Sequence, residues 1–258
     1  MPRFAANLTM LFTDLPFLDR FAAAAKAGFK QVEYLFPYDY EAKDLRWHLD
    51  VNNLTQVLFN LPSGDWTAGD RGIAADPARV QEFRDGVHKA VDYARRLGVT
   101  RLNCLAGKLV AGQTEADAFD MLAANVVYAA DVLRRDNMAL VVEAINRYDI
   151  PDFVVCRTSQ VMALLDAIGR DNVSMQYDVQ YQAHRARADR RQPRPASAGH
   201  GRDQFPLYLF RARPPGLRRL RGPGVRARAG HAVVPGLDQG HGLFVVMPII
   251  KHNTSYVL

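Results

Sequence analysis

No glutamate follows Glu143 in this chain of 258 residues, although acidic residues are common before it. Whatever chemistry needs a Glu must therefore draw it from the first 143 residues. A second absence starts at His184: up to about His231 no hydrophobic period can be found in a run of Arg, Pro, Gly and Ala. That composition excludes a packed continuation of the pattern upstream. Cysteine is scarce, with only Cys104 and Cys156. Two thiols exclude a disulfide framework and fit a reducing compartment. Neither has a paired His arrangement, so both read as buried structural thiols. No apolar run is long enough to span a bilayer, and Met1-Pro2-Arg3 leads into a strand pattern without a secretory signal. The expectation is a soluble, cytoplasmic protein with no membrane partner. A dinucleotide-binding glycine fingerprint is also missing.

The net charge of +6 is unevenly spread. Residues 184–258 hold 14 Lys+Arg against three Asp; removing this +11 from the total leaves −5 for residues 1–183. The basic character thus belongs to the irregular segment. It raises the alternative of an arm that binds nucleic-acid phosphates, but aromatic interleaving is sparse and no nucleic-acid module is present. The preferred division is an enzyme portion at 1–183 and an aberrant tail at 184–258, with no nucleic-acid partner.

What is present upstream alternates apolar strands with amphipathic helices. Strands are expected at Phe4–Met10, Gln31–Phe36, Leu54–Leu61, Arg101–Leu105, Ala139–Ile145 and Val173–Asp178. Helices are expected at Pro16–Ala27, about Glu41–Asn52, from Asp76-Pro77 to Leu97, from a Thr114 cap to Arg135, and at Thr158–Ile168. Asp before Pro at a helix start, and Thr before an amphipathic run, are N-terminal caps. Units of roughly 30 residues that each return to a buried strand imply a parallel sheet. Five or more in succession favour an α/β fold of the (β/α)8 TIM barrel type, with a doubly wound sheet as the second choice. His48 and His88 fall on helices as surface residues.

In a barrel of this kind the working residues stand at the C-terminal ends of strands. Glu143 is a charge embedded in the apolar run VVEAIN, and Asp178 closes SMQYD one unit later. Carboxylates on neighbouring strand ends point into one mouth, the way oxygen ligands for a hard divalent cation are assembled. The bland alternatives are a helix-capping Asp and a Glu paired with a base. An ionised Glu in a core strand does need a partner or a metal. The loop Asn60–Ala74, with Trp66 and Arg71, suits a substrate lid in which Arg71 clamps an anion. Lys108, in CLAGK, is a second candidate for that anion or a solvated side chain. Glu33 and Asn7 also face the expected mouth, with weaker signals.

The stretches FAANLTMLFTDLPFLDRFAAAAKAGF, VEYLFPYDY, QVLFNLPSGDW followed by G-x-RGIA, LNCLAGK and VVEAINRYDIPDF resemble the hydroxypyruvate isomerase family among the xylose-isomerase-like TIM barrels. The resemblance runs from residue 1 to about 181. It implies an enzyme interconverting hydroxypyruvate and tartronate semialdehyde (2-hydroxy-3-oxopropanoate), or a close relative acting on a 2-oxo-tetronate. It implies Glu143 as catalytic base, Glu143 and Asp178 as ligands of a divalent metal (Mg2+ or Mn2+), and Asn60, Trp66, Arg71 and Lys108 around the substrate. The implied partner is a small anionic hydroxy-oxo acid, and self-association into a homo-oligomer is compatible with it. The metal would stabilise the enediolate while a carboxylate moves a proton between adjacent carbons.

The family's strand-eight Glu, in a segment like G-W-V-G-C-E-Y, has no counterpart here. A reading-frame shift near residues 179–186 accounts for this. Arg187–Gly199 can be encoded so that reading one base later gives E-L-I-A-A-N-L-A-R-L-L-P. In the same offset Arg202–Phe210 hides E-I-N-F-P-Y-I-F, and Val225-Arg226-Ala227 hides C-E. The expected fold is therefore an incomplete barrel with strands seven and eight lost, its activity impaired. Resequencing codons 175–245 should reveal a gained or lost base near codon 180; an intact frame would make the basic arm a feature in its own right.

Overall fold

The computed structural model describes residues 4–178 in full and the backbone of residues 246–252 and 255–257. Six strands form first: β1 (Ala5–Asn7), β2 (Gln31–Glu33), β3 (Thr55–Asn60), β4 (Arg101–Cys104), β5 (Ala139–Glu143) and β6 (Val173–Asp178). Each pairs in parallel with the next in chain order, β1 to β6. Helices α1 (Asp19–Lys26), α2 (Ala42–Val51), α3 (Val80–Leu97), α4 (Glu115–Arg134) and α5 (Thr158–Ile168) lie between them. This is the repeated βα unit expected from the sequence, six strands of a (β/α) barrel.

The apolar period explains the packing. α3 buries Phe83, Val87, Ala90, Val91, Ala94 and Leu97, a stripe at helical spacing. Strand residues such as Val32, Leu102 and Leu140 have no exposed surface, because helices cover one face and the barrel interior the other.

Element boundaries move for local reasons. α1 starts at Asp19 instead of Pro16, since Asp19 and Arg20 donate to the Pro16 and Phe17 carbonyls in tight turns that precede the helix. The helix expected from Pro77 begins as a short 3-10 turn, Pro77–Arg79, with the Asp76 carboxylate accepting from Ala78 N–H at 2.9 Å. α4 is capped as expected. Thr114 accepts from Asp117 N–H, and Asp117 reaches back to the Thr114 backbone. His88 is exposed and His48 half-buried beside Phe21.

Among the described residues no further parallel strand follows β6, consistent with an incomplete barrel. The β6 edge is not bare, however. β7 (Val246–His252) pairs with it antiparallel, and β8 (Ser255–Val257) pairs antiparallel with β7. Residues 179–245, including the shifted-frame peptides and the start of the tail segment at 184, lie outside the described residues. Among the described residues no helix is long and apolar enough to cross a membrane.

Thr114→Ala removes the hydroxyl half of the α4 capping box while the residue-114 backbone N–H still donates to Asp117, and should destabilise the chain by about 1 kcal/mol, whereas Thr114→Ser should be nearly neutral. Urea unfolding of the three proteins at one pH checks this.

Candidate active site

Each of the six parallel strands places a polar side chain at or near its C-terminal end: Asn7, Glu33, Asn60, Asn103, Glu143, and Gln176 with Asp178. All but Asp178 are buried. Asn7 pairs in register with Glu33, Asn60 with Asn103, and Glu143 with Gln176. A tier of polar groups inside an apolar barrel is costly unless its members satisfy one another.

They do so in part. Asn7 accepts from Thr9 N–H at 3.0 Å, which turns its amide nitrogen onto the Glu33 carboxylate at 3.1 Å. The Asn103 amide donates to Asn60 Oδ1 at 3.0 Å. Hydrogen bonds from Gln176 and Asn103 reach Glu143. Left over are Asn60 Nδ2, Asn103 Oδ1 and Gln176 Oε1, which are buried without a hydrogen-bond partner among the described residues. Groups of this kind await a ligand, an ion or a water.

Burial dominates the electrostatics. It pushes the Glu143 carboxyl up to about 8, with the charges of Asp178 and Glu33 adding to the rise and the two amide hydrogen bonds opposing it. Glu33 is pushed up to about 7, again mainly by burial, with the Asn7 hydrogen bond opposing and Asp178 adding. Glu33 lies on β2 and Asp178 on β6. In a flat sheet four strand spacings would separate them by about 19 Å. In a (β/α) barrel the sheet curls, so that strand ends such as these surround one mouth. No base pairs with Glu33 or Glu143 among the described residues.

The sequence candidates separate into two groups. Glu143 ends β5 and Asp178 ends the neighbouring strand β6. Among the described residues, however, no three His, Cys, Asp or Glu side chains come close enough to hold a metal ion. The fit to a divalent cation is therefore partial. Two carboxylates and two open amide oxygens make a donor set of the right hardness, and the described residues leave it short of a full ligand shell.

Asn60, Trp66, Arg71 and Lys108 form the second group, on the loops after β3 and β4. These loops meet backbone to backbone. A Cβ at Gly72 would overlap the Leu105 carbonyl, and one at Gly107 would overlap the Gly72 carbonyl. Glycine at both positions lets Arg71, just before one contact, approach Lys108, just after the other. Lys108 Nζ lies 3.8 Å from where a Cβ on Gly69 would stand. Arg71 stacks on Trp66 with its guanidinium 4.1 Å from the ring centroid and donates to the Trp66 and Asp70 carbonyls. Phe36 packs against the same Trp66 at 5.3 Å. Neither Arg71 nor Lys108 makes an ion pair among the described residues, so the two meeting loops each carry a cation whose charge no carboxylate there neutralises. Asn60 sits lower, within the barrel, and belongs to the amide tier.

Asn103 and Gln176 did not emerge from the sequence as candidates. Their signal was available: a single amide residue flanked by apolar neighbours in each of two strands, Leu102-Asn103-Cys104 and Met175-Gln176-Tyr177. The cysteines are as expected. Both are buried, and burial alone pushes the Cys104 thiol up to about 12, far from thiolate reactivity.

Comparison with known proteins identifies the fold family. The sequence profile of the xylose isomerase-like TIM barrel family matches residues 21–201. Hydroxypyruvate isomerase of Escherichia coli (strain K12) is 48% identical over 179 residues, which are 69% of this chain and 69% of that protein. A 2-oxo-tetronate isomerase of Cupriavidus necator is 42% identical over 178 residues, 69% of this chain and 68% of that one. Among solved structures, a protein described as an AP endonuclease, family 2, from Brucella melitensis superposes with a TM-score of 0.68 at 42% identity, covering 70% of each chain.

The raised carboxyls make stability depend on pH. Both folded values exceed the unfolded value of 4.5, so their contribution is intact below pH 4.5 and is lost as the pH rises through about 7 for Glu33 and about 8 for Glu143. The urea midpoint should fall between pH 5 and pH 8 by these groups, and Glu143→Gln should flatten that fall. An unchanged slope in the variant would place the loss elsewhere.

Proposed function

Because the chain belongs to the xylose isomerase-like TIM barrel family, whose members similar to it include named isomerases, we propose that its mouth is built to interconvert hydroxypyruvate and tartronate semialdehyde. The observation that carries this reading is a buried Glu143 carboxyl at the end of β5, next to the β6 end that carries Asp178, with Arg71 and Lys108 on the loops after β3 and β4 and without ion-pair partners among the described residues. Arg71 and Lys108 receive the substrate carboxylate, and Trp66 with Phe36 forms an apolar wall next to it. Anchoring one end of a three-carbon acid fixes its carbinol carbon toward the strand ends. Glu143 then takes the carbon-bound proton and returns it to the neighbouring carbon. A carboxyl held near neutrality by burial suits both directions of that transfer.

Glu143 and Asp178 would hold the divalent cation, Mg2+ or Mn2+, that this chemistry calls for. Bound there, it would stabilise negative charge on the substrate oxygens. Asn103 and Gln176 steady Glu143 through their amide N–H groups.

A 2-oxo-tetronate is the second substrate reading, favoured by the names of several relatives. It needs the same anchor and base, with room for a further hydroxylated carbon. For the last third, the reading remains a shifted frame beginning near residues 179–186. It is supported by a relative of which the match covers 69%, the same share as of this chain. A mouth without the remaining barrel units turns over slowly. The acidic balance of residues 1–183 argues for a small anion held by two local cations and against a nucleic-acid partner.

Incubation with hydroxypyruvate and Mg2+ or Mn2+, followed by NMR detection of the aldehyde product, tests the assignment. Arg71→Ala should raise KM by roughly tenfold or more through loss of a charged contact, while Glu143→Gln should abolish turnover with little change in KM. Turnover of a 2-oxo-tetronate alone would select the second substrate, and turnover of neither would refute the isomerase reading.

A further inference from the structure

The loop after β3 carries two acidic residues, Asp65 and Asp70, close in sequence to the cation assigned to the substrate carboxylate. Asp70 is the sharper problem. It directly precedes Arg71 and follows Gly69, whose Cβ position lies 3.8 Å from Lys108 Nζ. A carboxylate left to itself there would pair with one of the two cations and cancel the charge that an anionic ligand needs. No such pair forms among the described residues.

Each carboxylate is engaged elsewhere. That of Asp65 folds back on its own loop, accepting from the Thr67 hydroxyl at 2.6 Å and from the Thr67 and Ala68 N–H groups at 2.9 and 3.0 Å. Asp70 is clamped from two sides. Its N–H donates to the Asp65 carbonyl at 2.9 Å, while its carboxylate accepts from the Asp65 N–H at 2.7 Å and from Arg79 Nη1 at 2.6 Å. Space for that carboxylate exists because residue 64 is glycine; a Cβ there would overlap it. Arg79 is itself fixed. It ends the 3-10 turn Pro77–Arg79, and Glu82 in the first turn of α3 accepts from its Nε and Nη2 at 2.7 and 2.8 Å. This bidentate pair sets the guanidinium plane and leaves Nη1 for Asp70.

We propose that Arg79 is a positioning residue of the anion anchor: by holding the Asp70 carboxylate it keeps Arg71 and Lys108 free for the carboxylate of a small hydroxy-oxo acid. This rests on the reading of those two cations given above. The loop carries its own competitor for the substrate anion, and a third cation occupies that competitor. Arg79 acts through Asp70 and not on the ligand. Removing Asp70 as well should therefore restore what removing Arg79 alone takes away.

Isothermal titration calorimetry of the full chain with hydroxypyruvate reads Kd without requiring turnover. Arg79→Met keeps the aliphatic stem and should weaken binding about three- to fivefold, the reach of one partly exposed ion pair. Asp70→Asn can still accept from the Asp65 N–H through its amide oxygen and should bind no more weakly than the unmodified chain. In that Asp70→Asn background, Arg79→Met should change Kd by less than about twofold. Arg79→Lys keeps a cation beside Asp70 and should recover most of the loss. Arg79→Gln, read in the same two backgrounds, decides the matter if circular dichroism shows Arg79→Met to be misfolded. Unmodified affinity in the Arg79 variant overturns the proposal. So does an equal loss with and without Asp70, since Arg79 would then act on the anion directly or through the fold, and so does a matching loss in Asp70→Asn alone. Binding in this pattern without turnover refutes the isomerase reading and upholds the role of Arg79. No binding by the unmodified chain refutes the anion anchor, and this role with it.

Discussion

Two glutamates held out of water at the ends of parallel strands set the terms for everything around them. An ionised carboxylate in a low-dielectric interior needs a cation, a proton or several hydrogen bonds. The described residues supply only amides: Asn7 for Glu33, and Asn103 with Gln176 for Glu143. Those amides are in turn constrained. Asn7 is tied by Thr9 and Asn103 by Asn60, so the polar tier is a chain of dependences across neighbouring strands. The price of this arrangement is stability above neutral pH, and its gain is a pair of carboxyls able to exchange protons near neutrality.

The cations are kept out of that tier by the backbone. Were Arg71 or Lys108 to reach Glu143, the pair would neutralise and neither would be open to a substrate. The Arg71 guanidinium is instead held flat on Trp66 by the ring face and two carbonyls, and the close contact at Gly72 and Gly107 fixes where its loop can go. Anion-binding and proton-moving groups thus occupy different levels of one mouth. That separation is what a small acid with a reactive centre beside its carboxylate requires.

The far edge of the sheet obeys a different constraint. A parallel strand such as β6 cannot leave its hydrogen-bonding groups open without inviting association. Here the antiparallel strands β7 and β8 occupy it. This pairing satisfies the β6 backbone and contributes no parallel unit, so no further strand end of the barrel type is added to the mouth by the described residues.

Much of this was legible in the residues. Strand and helix order followed from apolar spacing, the α4 cap from Thr114, and the importance of Glu143 from a charge inside VVEAIN, because each of these is a local property of a short segment. The ends of elements were less so: whether Phe36 continues β2, or Pro16 begins α1, depends on turn bonds that periodicity does not encode. Asn103 and Gln176 carried a signal only as amides in apolar runs, and their meaning appears once β4, β5 and β6 lie side by side. The sequence by itself determined which strands exist, which carboxylates end them, and where the pattern breaks after His184. Only the tertiary structure decided that Asn7 holds Glu33, that Arg71 stacks on Trp66 and pairs with no carboxylate among the described residues, and that β6 gains an antiparallel neighbour. Strand pairing and loop contact set those relations, and neither is a property of one short segment.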